Sequence, residues 1–138
     1  MYSEKLAEEM GLYENDPFGN LGRLQSELWR ATRLVVDTGL HHKHWTREKA
    51  IKYLSEITGF PERLSASEIE RYMALPAQAL SYKLGMLKML ELRDKARTHI
   101  GNQFDLAEFH DLILRGGAMP LNVLEKRVNN WITDMNRS

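Results

Sequence analysis

Three chemically distinct side chains recur at every fourth position in the segment Arg33-Leu-Val-Val-Asp37-Thr38-Gly39-Leu40-His41. On a helix that runs through Gly39, Asp37 and His41 share a face, and Arg33 lies one turn earlier on it. An aspartate beside a histidine fixes its tautomer and stabilises its charged form, as acid–base or oxyanion-binding chemistry requires. An ordinary i, i+4 ion pair, with His41 as a partner of the helix dipole, accounts for the same spacing. A second polar group follows at once: His41, His42 and His44, with Glu48 downstream. Imidazole and carboxylate suit zinc. Thr46, however, has the character of an N-cap, so a turn separates His44 from Glu48, and no His-Glu-x-x-His is present. The residues point to no metal site in this chain. The third group is Pro76-Ala-Gln78-Ala-Leu-Ser81-Tyr82-Lys83-Leu-Gly85. Gln78, Tyr82 and Gly85 fall on one helical face with Lys83 beside it, and a hydroxyl next to an ammonium suits a carboxylate or carbonyl oxygen. A glycine inside a helix costs about 1 kcal/mol relative to alanine, so Gly85 implies close approach of another group. Helix–helix packing at Gly85, with Tyr82 and Lys83 at the bundle edge, is the plainer reading.

These residues must be held by helices, because apolar spacing is helical nearly throughout and strand signals are absent. A first short helix is expected over 2–10, stopped by Gly11. Asp16 and Pro17 open a long second helix, about 17–39, with the stripe Leu21, Leu24, Leu28, Ala31 and Val35. Thr46 caps a third, about 47–58, closed by Gly59 and Pro61. The Ser65/Glu68 spacing resembles a capping box that starts a short fourth helix ending near Leu75. Pro76 opens a second long helix, about 76–99, closed by Gly101-Asn102. Asp105 and Glu108 cap a sixth that ends at Gly116-Gly117. Pro120 starts the last, with the stripe Leu121, Leu124, Val128, Trp131 and Met135. The fold class is all-α: a single-domain bundle of six to seven helices over residues 1–138. Trp29, Trp45 and Trp131 read as packing anchors, Met86 and Met89 as core, and His99 and His110 as histidines near helix ends.

Composition narrows the functions. Nineteen basic residues balance nineteen acidic ones, so no net field favours nucleic acid or an anionic membrane. There are no cysteines, which removes disulfides, thiolate nucleophiles and cysteine-based zinc sites. No apolar run approaches the roughly 20 residues that span a bilayer. The charged, amphipathic start is no signal peptide. Cytoplasm is the default location, and export the expectation if a longer precursor carries a leader. No serine sits in a nucleophile elbow, and no glycine-rich loop cradles phosphate.

The order of these motifs adds a resemblance. Tyr-Ser-Glu-Lys-Leu-Ala-Glu-Glu-Met-Gly at 2–11, Leu-Gly-Arg-Leu-Gln-Ser-Glu-Leu-Trp-Arg-Ala at 21–31 and Arg-Leu-Val-Val-Asp-Thr-Gly-Leu-His at 33–41 are joined by Pro-Ala-Gln-Ala-Leu-Ser-Tyr-Lys-Leu-Gly at 76–85, Phe-His-Asp at 109–111 and Pro-Leu-Asn-Val-Leu-Glu at 120–125. Together they resemble the C-terminal part of a bacterial family called domain of unknown function 885. That family is similar to all-α zinc peptidases of the His-Glu-x-x-His plus downstream Glu type. The resemblance implies that zinc, its ligands and the general base belong to a complete protein, in a part that would precede Met1. The chain would then begin inside a continuing helix and be inactive alone. His41 is implied as donor to a developing oxyanion, with Asp37 orienting it. Tyr82 and Lys83 are implied as holders of a peptide carbonyl or terminal carboxylate, with Gln78 and Tyr72 lining the same cleft. The implied partners are the missing N-terminal catalytic half and, in the complete protein, a peptide substrate. A stand-alone interaction module is the alternative. It would self-associate, most simply as a homodimer, through the stripe around Leu6, Leu24 and Val35.

Overall fold

A computed structural model describes residues 1–137. Among the described residues seven α-helices account for most of the length, and no strand occurs. They are α1 (Tyr2–Glu9), α2 (Pro17–His41), α3 (Arg47–Thr58), α4 (Glu62–Ala74), α5 (Ser81–Ile100), α6 (Leu106–Leu114) and α7 (Leu121–Met135). Single 3₁₀ turns, Gln78–Leu80 and Gly101–Gln103, stand before and after α5. The helices group into two compact units, Met1–Leu84 and the part from Gly85 onward.

The local start and stop signals act as their chemistry dictates. The Asp16 carboxylate accepts from the Gly19 amide at 2.8 Å, with Pro17 in the first helical position. Thr46 accepts from the Lys49 amide at 3.2 Å, and Asp105 from the Glu108 amide at 2.8 Å. Gly59 ends α3 in the left-handed region at φ 72°.

Three boundaries depart from expectation. First, α2 does not fade at Gly39 but continues to His41. Gly39 is buried, and a Cβ there would come within 2.7 Å of the Trp45 ring, while the Trp45 amide donates to the Gly39 carbonyl at 2.9 Å. The glycine makes room for an indole instead of ending a helix. Second, α4 starts at Glu62, three residues before Ser65. Ser65 is a fully buried interior residue, and the Glu68 carboxylate accepts from Arg33 of α2 and from Tyr72 one turn further along α4. Third, Pro76 does not open α5. Ala77 adopts φ +67°, and a 3₁₀ turn intervenes before Ser81.

In the first unit the core is Val36, Ala50, Ile51, Leu54, Ile69, Tyr72 and Ala79, drawn from α2, α3, α4 and the 3₁₀ turn. Trp29 meets Phe60, and Trp45 meets Tyr53, edge to face. In the second unit Leu92, Ala96, Ile100, Phe109, Ile113, Leu124, Val128 and Ile132 form the core, with Trp131 and Met135 at its margin. The buried line of α7 is thus Leu124, Val128 and Ile132, while Leu121 is 40% exposed.

The α2 stripe faces outward: Leu21, Leu24, Leu28 and Val35 are all exposed, and the helix buries Thr32, Arg33, Val36, Asp37 and Gly39 instead. Gly85 meets no close neighbour, since no described atom lies within 4 Å of the place a Cβ would take. The two helical glycines therefore respond oppositely to alanine. Gly39→Ala is expected to cost about 1–3 kcal/mol through overlap with Trp45. Gly85→Ala is expected to add about 0.5–1 kcal/mol by relieving helix entropy. Urea midpoints of the two variants check both signs.

Candidate functional site

The three α2 residues spaced by four do share a face, but they do not pair with one another. Each reaches across to another element of the first unit, so the spacing yields a ladder between α2 and α4 and its following turn. Arg33 occupies the first rung. Its Nε donates to the Tyr72 hydroxyl at 2.8 Å and its Nη2 to Glu68 at 3.2 Å. The guanidinium lies 4.1 Å from the Trp29 ring centroid, 5.5 Å from Tyr72 and 5.6 Å from Tyr82. Arg33 is only 6% exposed, so the expected pairing with Asp37 is replaced by a fully engaged, aromatic-walled cation.

Asp37, on the second rung, is buried, and its carboxylate accepts from the Ala77 amide at 3.1 and 3.2 Å. A charged acceptor on that amide holds Ala77 in a left-handed conformation that costs an L-residue about 1–2 kcal/mol. The reach is from α2 to the turn, and no hydrogen bond joins Asp37 to His41 among the described residues. His41, on the third rung, is exposed, and its Nε2 lies 3.0 Å from the Tyr72 carbonyl oxygen. A carbonyl only accepts, so Nε2 carries the proton. The outward nitrogen, Nδ1, is then a lone pair in neutral His41 and a donor only when the ring is charged. The Tyr72 carbonyl, and not Asp37, orients the imidazole.

The residues after Pro76 separate into engaged and available groups. The Gln78 side chain donates to the Tyr82 hydroxyl at 3.2 Å and accepts from Arg71 at 3.0 Å. Gln78 and Tyr82 are both exposed. Lys83 is tied to Glu27 at 2.6 Å, and this contact, more than the charges of Lys83, Arg23 and Lys5, holds the Glu27 carboxyl below its ordinary value. The Lys83 ammonium is therefore already neutralised in this chain. Tyr72 lines no cleft here: its ring is 1% exposed and its hydroxyl donates to Glu68 at 2.7 Å.

Glu68 and Arg71 are the members that local spacing does not reveal. Burial pushes the Glu68 carboxyl up, but hydrogen bonds from Arg71 and Tyr72 and the charges of Arg71 and Arg33 outweigh it and hold it below the usual value. Burial and the Glu68 contact push the Tyr72 phenol up to about 12, with Arg33 and Trp29 opposing. Between pH 10 and about 12 the folded protein keeps a proton that the unfolded chain gives up. Stability from Tyr72 is complete below pH 10 and is lost as pH rises through that window. Tyr72→Phe is expected to cost about 1–2 kcal/mol at neutral pH. In denaturation profiles from pH 8 to 12, that gap between wild type and variant should narrow as the window is crossed.

Among the described residues no three His, Asp or Glu side chains are grouped so as to hold a metal ion. His41, His42, His44 and Glu48 are no exception: His44 lies in the left-handed region at φ 53°, just before the Thr46 cap. The donors among the described residues do not fit a zinc ion. No described helix is long and apolar enough to cross a membrane.

Comparison with known proteins agrees with the motif order. No curated protein sequence matches the chain. A crystal structure of a "putative lipoprotein" from Colwellia psychrerythraea is similar to it, with 63% identity over 96% of this chain and a TM-score of 0.93. This chain covers 23% of the length of that one. The profile of the bacterial proteins of unknown function termed DUF885 matches residues 1–128, and the chain belongs to that family.

Proposed function

We propose that this chain is the helical, cleft-wall portion of a longer zinc-dependent, peptidase-like protein and performs no hydrolysis by itself. The observation that carries the reading is the α2 ladder. Contacts from Arg33, Asp37 and His41 tie one helix to α4 and the Ala77 turn, and exposed polar groups stand at their ends: His41, and the hydrogen-bonded pair Gln78 and Tyr82. Polar ends held on rigid supports are what substrate positioning needs.

In this reading His41, charged and anchored through Nε2, offers its Nδ1 proton to the oxygen of a peptide carbonyl as negative charge develops. Tyr82, held by Gln78, hydrogen-bonds the peptide backbone. Lys83 serves a terminal carboxylate only if Glu27 releases it. Arg33, Asp37 and Tyr72 act as positioning residues from behind. The metal would be held wholly by residues outside these 138, so no step of hydrolysis is assigned to this chain. The name of the Colwellia relative supports an exported, lipid-anchored longer protein over a cytoplasmic one. A second reading, a stand-alone module that self-associates, draws support from the exposed leucines of α2.

The test is made on the intact Colwellia protein. One zinc per chain and peptide hydrolysis abolished by a chelator are expected. A metal-free protein without peptidase activity would remove the proposal.

A further inference from the structure

Neither α1 nor the first half of α2 holds a fully buried residue, and one face of α2 there lies open. Every buried residue of α2 falls between Thr32 and Gly39, and α1 has none. Leu21, Leu24 and Leu28 are 61%, 49% and 44% exposed and, with Gln25, line an open groove of about 450 Å³. Phe18, one turn earlier, is 84% exposed. An apolar row of this size left in water is a face suited to a partner. The segment that precedes α2 is acidic on balance: residues 1–16 carry Glu4, Glu8, Glu9, Glu14 and Asp16 against one lysine, Lys5, with Glu4 paired to Arg30 and Glu8 to Lys5.

We infer that α1 and the first half of α2 form the seat for the remainder of a longer family polypeptide. That remainder lays an apolar helix stripe into the Leu21–Leu24–Leu28 groove and turns basic side chains toward the acidic α1 end. The inference rests on the proposed reading that this chain works as part of a longer protein. Two observations favour this occupant. The similar crystal structure keeps this fold in a chain of which the matched part is only 23%. A second copy of this chain would bring leucines but a second acidic flank, and its adjacent arginines, Arg23 and Arg30, are already paired with Glu27 and Glu4.

The experiment places Leu24→Asp and Leu28→Asp together in this chain and at the aligned positions of the intact Colwellia protein. Melting and light scattering are then measured on both. In this chain, where both leucines face water, Tm should move by no more than about 2 °C and the mass should stay monomeric. In the intact protein, where two carboxylates would enter a dry interface, Tm should fall by about 10 °C or more. Equal tolerance in both proteins would overturn the inference. So would a dimer of this chain that the substitutions dissolve, since the face would then belong to a second copy. Neither readout uses zinc or turnover, so failure of the peptidase reading and failure of this interface give different results.

Discussion

Arg33→Met lowers the stability of the first unit by about 3 kcal/mol, the largest loss expected from any single substitution in the ladder. The reasoning is one of asymmetry. Arg33 is 6% exposed and satisfies two groups at once, the Glu68 carboxylate and the Tyr72 hydroxyl. Methionine fills much of the same volume beside Trp29 but leaves Glu68 with only Arg71 and the Tyr72 hydroxyl, and leaves that hydroxyl without the donor it had in Arg33. Breaking one partner of a buried pair costs far more than replacing both by apolar groups. Arg33→Met with Glu68→Leu should therefore recover part of the loss. Arg33→Lys should not, because a point ammonium neither spans both acceptors nor stacks on the indole. Arg115→Met is the control: that side chain is 76% exposed in its pair with Asp111, and its loss should cost under about 0.5 kcal/mol. Urea midpoints followed by far-ultraviolet circular dichroism separate these outcomes. The wild-type contribution of Glu68 should be present above its ordinary carboxyl range and disappear as pH falls through its lowered folded value, and Arg33→Met should flatten that acid limb.

If the longer protein is the zinc peptidase proposed above, His41→Ala in it should lower turnover by about 100-fold and leave zinc content unchanged. The magnitude is that of removing one donor to a developing oxyanion, and the unchanged metal follows from the proposal that its ligands lie in the rest of the longer protein. The geometry adds a further condition. Because Nε2 is committed to the Tyr72 carbonyl, His41 can donate outward only as the charged ring. His41→Gln, which keeps a side-chain donor, should restore part of the turnover. Loss of zinc on His41→Ala would show instead that His41 is a ligand.

What local sequence reveals, and what it does not, follows from the range of the interactions. Asp16, Thr46 and Asp105 cap helices because their partners are amides three residues away. Such signals are complete within one turn of chain. Ser65 and Glu68 carry the same spacing and mislead, because Glu68 is claimed by Arg33, 35 residues distant, and by Tyr72 one turn on. The 33–37–41 spacing identified one face correctly, yet periodicity cannot tell a residue that bonds its neighbour from one that bonds across to α4. The leucine stripe shows the same limit: it marks α2 as amphipathic without saying which side this chain covers. Gly39 reads from spacing as a helix end, and only the position of Trp45 shows that it is an interior glycine that makes room for a ring, whereas Gly85 meets no close neighbour. The Ala77 turn had no local signal, since alanine is among the residues least suited to a positive φ.

The division of labour proposed here, with positioning groups in these 138 residues and metal chemistry elsewhere, is tested most directly on the isolated chain. The protein is saturated with zinc, desalted, and its metal content measured beside its hydrolysis of a mixed peptide library. Substoichiometric zinc and no chelator-sensitive cleavage are the predicted result. One tightly held zinc per chain, with cleavage abolished by a chelator and restored by added metal, would contradict the account.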